Sequence, residues 1–135
     1  MVTSAERKLE LLTKMLQRLC LKGDRGVPLI VEGKKDLSAL RKLGINGKII
    51  CVKNTGKILV DLLDEIQSEE VTLLVDFDDS GMSLAKDIMQ YLQGKGVKVD
   101  SVFWKETRSL VRKDVSEVEG VPSYLEKLKK RIANS

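Results

Sequence analysis

The sequence predicts an α/β protein of three layers, in which a central parallel sheet of about four strands lies between helices. Short apolar runs alternate with amphipathic segments of helical length, beginning with the run from Leu29 to Val31 and a helical stretch to Leu43. The same unit recurs at Ile49 to Val52 and at Val71 to Val75. Right-handed crossovers between such strands place helices over both faces of the sheet.

Further helical segments are expected at both ends of the chain. Leucine and methionine recur every three or four residues between positions 4 and 21, which predicts an amphipathic N-terminal helix. A fourth apolar run, from Val97 to Trp104, alternates in the way that an edge strand does. Charged helical material follows this run, and a last amphipathic segment extends from Tyr124 to Ile132.

The composition limits the chemistry that is open to this chain. It has no histidine and only two cysteines, Cys20 and Cys51, which argues against structural zinc and excludes histidine-dependent nucleophile pairs. Catalysis would then rest on carboxylates, lysines, hydroxyls or a metal ion. The net charge of +4 is compatible with a polyanionic partner such as nucleic acid. Neither a membrane span nor a signal-peptide pattern is evident, so we expect a cytoplasmic protein without a membrane partner.

Carboxylates follow two of the predicted strands. Glu32 comes directly after the first strand, and Asp76 and Asp78 end the third, which is the most apolar. Ligands of open parallel sheets bind beyond the carboxyl ends of the strands, so these acids converge if strands one and three are neighbours. Asp76 and Asp78 are two residues apart, which places them on one side of an extended segment, and several oxygens facing one point suit Mg²⁺. We expect one or two Mg²⁺ ions here, with Mn²⁺ as a substitute.

A plainer interpretation exists for part of this pattern. The segment from Asp78 to Gly81 fits a helix N-cap and turn, because Asp and Ser satisfy the free amide groups at a helix start. Capping explains one acid, but not a pair of acids after an apolar strand together with a third acid after another strand. We therefore favour metal binding, with Asp36 and Asp79 as candidate outer ligands, although Asp79 is equally well explained as a cap.

Two motifs at these positions resemble those of the Toprim domain family. They are Val31-Glu32-Gly33-Lys34-Lys35-Asp36 after strand one and Asp76-Phe77-Asp78-Asp79-Ser80-Gly81 after strand three. The resemblance covers about residues 27–105, includes the turn Asn54-Thr55-Gly56, and is greatest to the small stand-alone Toprim proteins of archaea. It implies a Rossmann-like Toprim fold in which Glu32 is a general acid or base and metal ligand, while Asp76 and Asp78 bind magnesium.

The resemblance also indicates how the domain is organised along the chain. We expect one Toprim domain over residues 1–135, with an N-terminal helix at about 4–21, the Toprim core at about 27–105 and a helical extension at about 106–135. The chain has no zinc ribbon or additional polymerase region, and no room for a topoisomerase gate. Whole-enzyme primase and topoisomerase activities are therefore not expected.

Several residues near the two motifs are candidates for contacts with phosphate or nucleic acid. The lysines lie beside the predicted metal ligands, and amide groups at a helix start attract anions. Ordinary surface charge is the alternative for each lysine, and the run from Lys127 to Arg131 fits a solvated helix face. The candidates are Lys34, Lys35, Ser80, Gly81, Lys105 and Arg108.

These residues together predict phosphodiester chemistry. Magnesium ions can orient a phosphodiester and stabilise its attacking and leaving oxygens without histidine. We expect a Mg²⁺-dependent nuclease or nucleotidyl-transfer module that acts on RNA or DNA, with a protein partner or a homodimer as open alternatives for its assembly. A metal-dependent nucleic-acid-binding module or regulatory subunit without turnover is the second hypothesis. An aspartyl-phosphate phosphatase is disfavoured, because such enzymes usually carry the Asp pair on their first strand.

Overall fold

A computed structural model describes residues 2–134 and contains one sheet of four strands within that range, all of them parallel. The strand order across the sheet is β2-β1-β3-β4, so β1 and β3 are neighbours at its centre. This arrangement confirms the predicted α/β class. The strands are β1 (Leu29–Val31), β2 (Ile49–Cys51), β3 (Glu70–Leu73) and β4 (Lys98–Asp100).

Helices connect the strands and cover the sheet on both faces. Right-handed crossovers place α2 over one face and α3 and α4 over the other. The contacts agree with this placement, because α3 packs against α4, α2 packs against α6, and α1 packs against α5 and α6. The helices are α1 (Ser4–Asp24), α2 (Lys34–Lys42), α3 (Leu59–Asp64), α4 (Asp79–Gly94), α5 (Val102–Val111) and α6 (Val121–Ala133), and a 3-10 turn, Val118–Gly120, precedes α6.

The apolar core runs through the centre of the sheet. Side chains of β1 and β3 are buried on both faces, as expected for a parallel sheet with helices above and below it. This explains why Ile30 and Val71 stand in nearly continuous apolar runs instead of alternating ones. The N-terminal helix α1 buries Leu12, Met15 and Leu19 on one side and exposes charged residues on the other. No helix within residues 2–134 combines the length and apolar character needed to cross a membrane.

The fourth apolar run differs from the prediction. A strand was expected from Val97 to Trp104, but β4 ends at Asp100 and α5 begins at Val102. The Asp100 Oδ1 accepts a hydrogen bond from the amide of Val102 at 3.0 Å, which turns the chain out of the sheet. Trp104, Thr107 and Val111 are then buried at helical spacing, so tertiary packing favours a helix over a longer edge strand.

Candidate metal centre

The topology brings the ends of β1 and β3 together at one edge of the sheet. Glu32 follows β1 directly, and Asp76 lies three residues after β3. The amide of Leu74 donates to the carbonyl of Ile30 at 2.9 Å, so the two segments stay paired close to this edge. The strand order also reverses between β1 and β3, and such a switch point is the usual ligand-binding position in an open α/β sheet.

Three carboxylates meet at this position. Glu32, Asp36 and Asp76 each offer one oxygen, and these oxygens lie within 4.8 Å of one another. Asp36 comes from the first turn of α2, where its Oδ2 accepts a hydrogen bond from the amide of Gly33 at 3.0 Å. Two oxygens on opposite sides of a Mg²⁺ ion are about 4 Å apart, so this spacing is close to that needed around a single ion. We refer to Glu32, Asp36 and Asp76 as the acidic triad.

Glu32 is buried in an environment that does not neutralise its charge fully. Its side chain is only 8% exposed, and Oε1 has no hydrogen-bond partner among residues 2–134, although Lys53 Nζ lies 3.5 Å away. Burial, and then Asp76, raise the pKa of Glu32 to about 8. Burial is also the main cause of the raised pKa of Asp36. In the absence of a cation, the fold therefore favours a proton on Glu32 at neutral pH.

The acidic triad fits a hard divalent cation. Its donors are carboxylate oxygens alone, which are the ligands that Mg²⁺ prefers and that Mn²⁺ also accepts. Oε1 of Glu32 is a buried acceptor that makes no hydrogen bond within residues 2–134, with Lys53 Nζ 3.5 Å away. A cation would meet this need and would also remove the repulsion among the three acids.

Asp76 is held in place from several directions. Its Oδ1 accepts a hydrogen bond from the amide of Val118 at 2.9 Å, and its carbonyl accepts one from Trp104 Nε1 at 3.3 Å. A Cβ at position 81 would overlap the carbonyl oxygen of Asp76, so only glycine allows α4 to begin this close to the strand end. Gly81 thus has a packing role in positioning Asp76.

Asp78 lies outside the acidic triad. It is the N-cap of α4, and its Oδ1 accepts a hydrogen bond from the amide of Gly81 at 2.8 Å. This is the geometry of the capping alternative, and it occupies one of the amide groups that were candidates for binding phosphate. The second oxygen of Asp78 has no hydrogen-bond partner within residues 2–134 and remains open to a ligand role. Asp79 is exposed in the first turn of α4.

The predicted basic residues lie at different positions around this edge. Lys34 and Lys35 are exposed in the first turn of α2, and Lys105 is exposed on α5. Arg108 instead donates from Nε to the carbonyl of Phe77 at 3.1 Å, so it supports the segment between the two aspartates. Ser80 is exposed in the first turn of α4.

Three residues near the site were not singled out from the sequence. Lys53 follows β2 by two residues, and its position at the same sheet edge could have indicated its contact with Glu32. Glu117 and Glu119 flank Val118, whose amide binds Asp76. No local pattern identifies them, because their approach depends on how the C-terminal segment packs against α2. Farther from these acids, Gly56 occupies an exposed turn after β2 with φ of 79°, a conformation that favours glycine.

The chain is similar to a known domain family, to several archaeal proteins and to a solved structure. The sequence profile of the Toprim domain matches residues 26–103. A UPF0292 protein of Thermoplasma volcanium is 41% identical over 75% of this chain and 84% of its own length. A UPF0292 protein of Methanocaldococcus jannaschii is 34% identical over 87% of this chain and 92% of its own. The solved structure of a protein from Aquifex aeolicus superposes with a TM-score of 0.66 and 28% identity, over 79% of this chain and 94% of that one.

Proposed function

Because the chain belongs to the Toprim domain family, we propose that it is an enzyme that cleaves phosphodiester bonds of RNA or DNA with the help of a divalent cation. The family itself suggests a metal-dependent function that involves nucleic acid. The observation that carries the proposal is the meeting of Glu32, Asp36 and Asp76, one of which, Glu32, has a buried oxygen that makes no hydrogen bond within residues 2–134. The proposed setting is the cytoplasm, with the chain acting alone, as a homodimer or with a protein partner.

The acidic triad would hold the first ion, with Mg²⁺ as the proposed metal and Mn²⁺ as its substitute. Asp78, through the oxygen that does not cap α4, and Asp79 are proposed further ligands, for the same ion or for a second one. A divalent cation held by these residues would stabilise the charge that develops on phosphoryl oxygens.

Glu32 is the proposed general acid or base. Its raised pKa of about 8 lies near neutral pH, where a group can both accept and release a proton. Lys53, 3.5 Å from Oε1, favours the ionised form and so opposes the effect of burial. In hydrolysis, an oxygen of water bonds to phosphorus while the bond to one sugar oxygen breaks. Glu32 would take a proton from that water or give one to the sugar oxygen, and solvent would exchange the other proton.

Residues around the acidic triad are proposed to hold the substrate. Lys34, Lys35 and Lys105 are exposed and lie outside every ion pair within residues 2–134, so their charge is available to phosphate. The hydroxyl of Ser80 adds a hydrogen-bond donor at the start of α4. Gly33, Gly56 and Gly81 are proposed to shape the backbone rather than to contact the substrate.

The test is cleavage by pure protein of labelled structured RNA, single-stranded DNA and duplex DNA, with Mg²⁺, Mn²⁺ or EDTA. Cleavage should require the cation and should fall by about 10² to 10⁴ in Glu32→Gln, because the amide cannot exchange a proton at neutral pH. Glu10→Gln is the matched control, since it makes the same change on the exposed side of α1. Cleavage by Glu32→Gln at the wild-type rate would remove Glu32 from catalysis.

The same experiment distinguishes an enzyme from a binding module. A protein that binds Mg²⁺ and nucleic acid but leaves every substrate intact would favour the non-catalytic hypothesis. Cleavage that persists in EDTA and in the Asp76→Asn variant would contradict both, because both require a cation at the acidic triad.

A further inference from the structure

Two grooves meet beside the acidic triad. The first, the α6 groove, has a volume of about 550 Å³ and lies between the segment 114–120 and α6. The second, the α2 groove, has a volume of about 360 Å³ and lies between α2 and the start of α6. Glu119 and Ser123 line both grooves, so the two adjoin at these residues.

The point where the grooves meet is tied to the proposed metal site. Glu119 lies next to Val118, whose amide donates to Asp76 Oδ1 at 2.9 Å. Glu119 is also close enough to Asp36 to repel its carboxylate. A chain of phosphates that entered one groove and left by the other would therefore pass beside the acidic triad.

Cationic side chains line both grooves, together with acidic ones in the α6 groove. Lys127 and Arg131 line the α6 groove, and as residues i and i+4 they project from one side of the helix. Lys34, Lys35 and Lys42 line the α2 groove. All five are exposed, and none takes part in an ion pair within the described part of the chain.

Lys129 differs from Lys127 and Arg131 because it forms an ion pair on α6. Lys129, on another side of α6, lies 3.3 Å from Glu126 Oε1 and is partly neutralised by it. Lys127 and Arg131 have no such acid beside them on the helix and instead face a groove. The α6 groove also contains Asp114, Glu117 and Glu119, which belong to the segment 114–120, so a polyanion in this groove would contact the side formed by α6.

We propose that one strand of nucleic acid crosses the protein through both grooves, with phosphates bound by Lys127 and Arg131 on one side of the acidic triad and by Lys35 and Lys42 on the other. This inference rests on the proposed function and adds the path of the substrate to it. It also assigns a binding role to α6, where the sequence alone indicated a solvated helix face. Changing Lys127 and Arg131, or Lys35 and Lys42, to alanine should therefore remove two phosphate contacts.

The test measures affinity for labelled single-stranded RNA and DNA across a range of salt concentrations. Ca²⁺ replaces Mg²⁺, because it also binds carboxylate oxygens, and a denaturing gel confirms that the strand stays intact. The variants are Lys127→Ala/Arg131→Ala, Lys35→Ala/Lys42→Ala and all four together. The control is Lys98→Ala/Lys129→Ala, which removes the same charge from the opposite edge of the sheet and from another side of α6.

Changing either groove pair should reduce the magnitude of the negative slope of log K against log salt by about 1.4, since each phosphate contact with a single strand contributes roughly 0.7. The four changes together should reduce this magnitude by about 2.8, while the control slope stays at the wild-type value. An unchanged slope in Lys127→Ala/Arg131→Ala, or a slope that changes as much in the control, would overturn this path while leaving the proposed function intact. Wild-type protein that binds neither strand would overturn the proposed function as well.

Discussion

Two groups of carboxylates in this protein differ in how their charge is compensated. Glu70 of β3 and Asp100 of β4 both bind the ammonium of Lys22, which extends from α1. Burial alone would raise the pKa of Asp100, but Lys22 holds it below its usual range. In the acidic triad, Lys53 is the cation beside Glu32, at 3.5 Å and without a hydrogen bond, and the pKa of Glu32 rises to about 8.

The fold neutralises the first group with its own lysine, whereas the acidic triad is a group that could hold a metal ion. A carboxylate paired internally is satisfied in the folded chain, whereas one that is buried without a donor is costly until a proton or metal arrives. Lys22 thus gives the first group a structural role. The acidic triad, at the carboxyl ends of the central strands, is left poised for a ligand.

The largest expected effect is the response of the two groups to Mg²⁺. At a concentration 100 times its Kd, Mg²⁺ should stabilise the wild type by about 2.7 kcal/mol, because it binds the folded chain alone. Asp76→Asn should lose most of this gain, whereas Asp100→Asn should retain it even if its starting stability is lower. Thermal melts with Mg²⁺ and with EDTA measure both. An equal Mg²⁺ response in the two variants would remove the distinction between the groups.

The next effect concerns the internal cation. Lys22→Met keeps much of the apolar stem but leaves Glu70 and Asp100 without their partner, and all three side chains are between 19% and 31% exposed. We expect a loss of roughly 1 to 2 kcal/mol, between the values for exposed and buried pairs. Urea unfolding measures it, with Lys14→Met as the control at an exposed pair. A loss no greater than that of the control would show that the Lys22 pairing is not structural.

A more gradual effect is expected with pH when no divalent cation is present. The raised pKa of Glu32 means that the folded chain holds a proton more tightly than the unfolded chain does. The stability from that proton is complete below about pH 4.5 and is lost as the pH rises through about 8. Wild type should therefore lose stability relative to Glu32→Gln across this range, and parallel melting curves would contradict the assignment. Asp100 has the opposite sign, because its lowered pKa contributes stability that is lost in acid.

The smallest effect on stability is expected at Asp78. Asparagine caps helices about as well as aspartate, so Asp78→Asn should change the melting temperature in EDTA very little. If its second oxygen helps to hold an ion, the same change should weaken Mg²⁺ binding in calorimetry, with partial recovery in Mn²⁺. Unchanged Mg²⁺ affinity would reduce Asp78 to its capping role.

The sequence predicts most of the fold because the signals are local. Apolar runs mark β1 and β3, and their alternation with helical segments leads to a parallel sheet that the structure confirms. The end of β4 was misplaced because Val102 and Trp104 fit either a strand or a helix, and only packing against the rest of the fold decides. The boundaries of the single domain remain a prediction.

Some contacts of the candidate site follow from the local sequence pattern, and others depend on tertiary packing. The juxtaposition of Glu32 and Asp76 follows from chain polarity and strand order, and the structure brings them together. From the sequence, Asp36 was expected only as an outer ligand. The direction of its side chain depends on the first turn of α2, where its carboxylate accepts a hydrogen bond from the amide of Gly33. Glu119 approaches from a segment more than 80 residues away, and no sequence pattern encodes that contact.

Metal binding by the acidic triad can be tested by locating the ion in a crystal of the protein grown or soaked with Mn²⁺. Anomalous scattering from Mn²⁺ identifies the metal without reference to the shape of the site. We predict a peak between Glu32, Asp36 and Asp76, bonded to an oxygen of each, and no peak beside Asp100, whose charge Lys22 already neutralises. An ordered Mn²⁺ ion at Asp100 with none at the acidic triad would contradict this prediction.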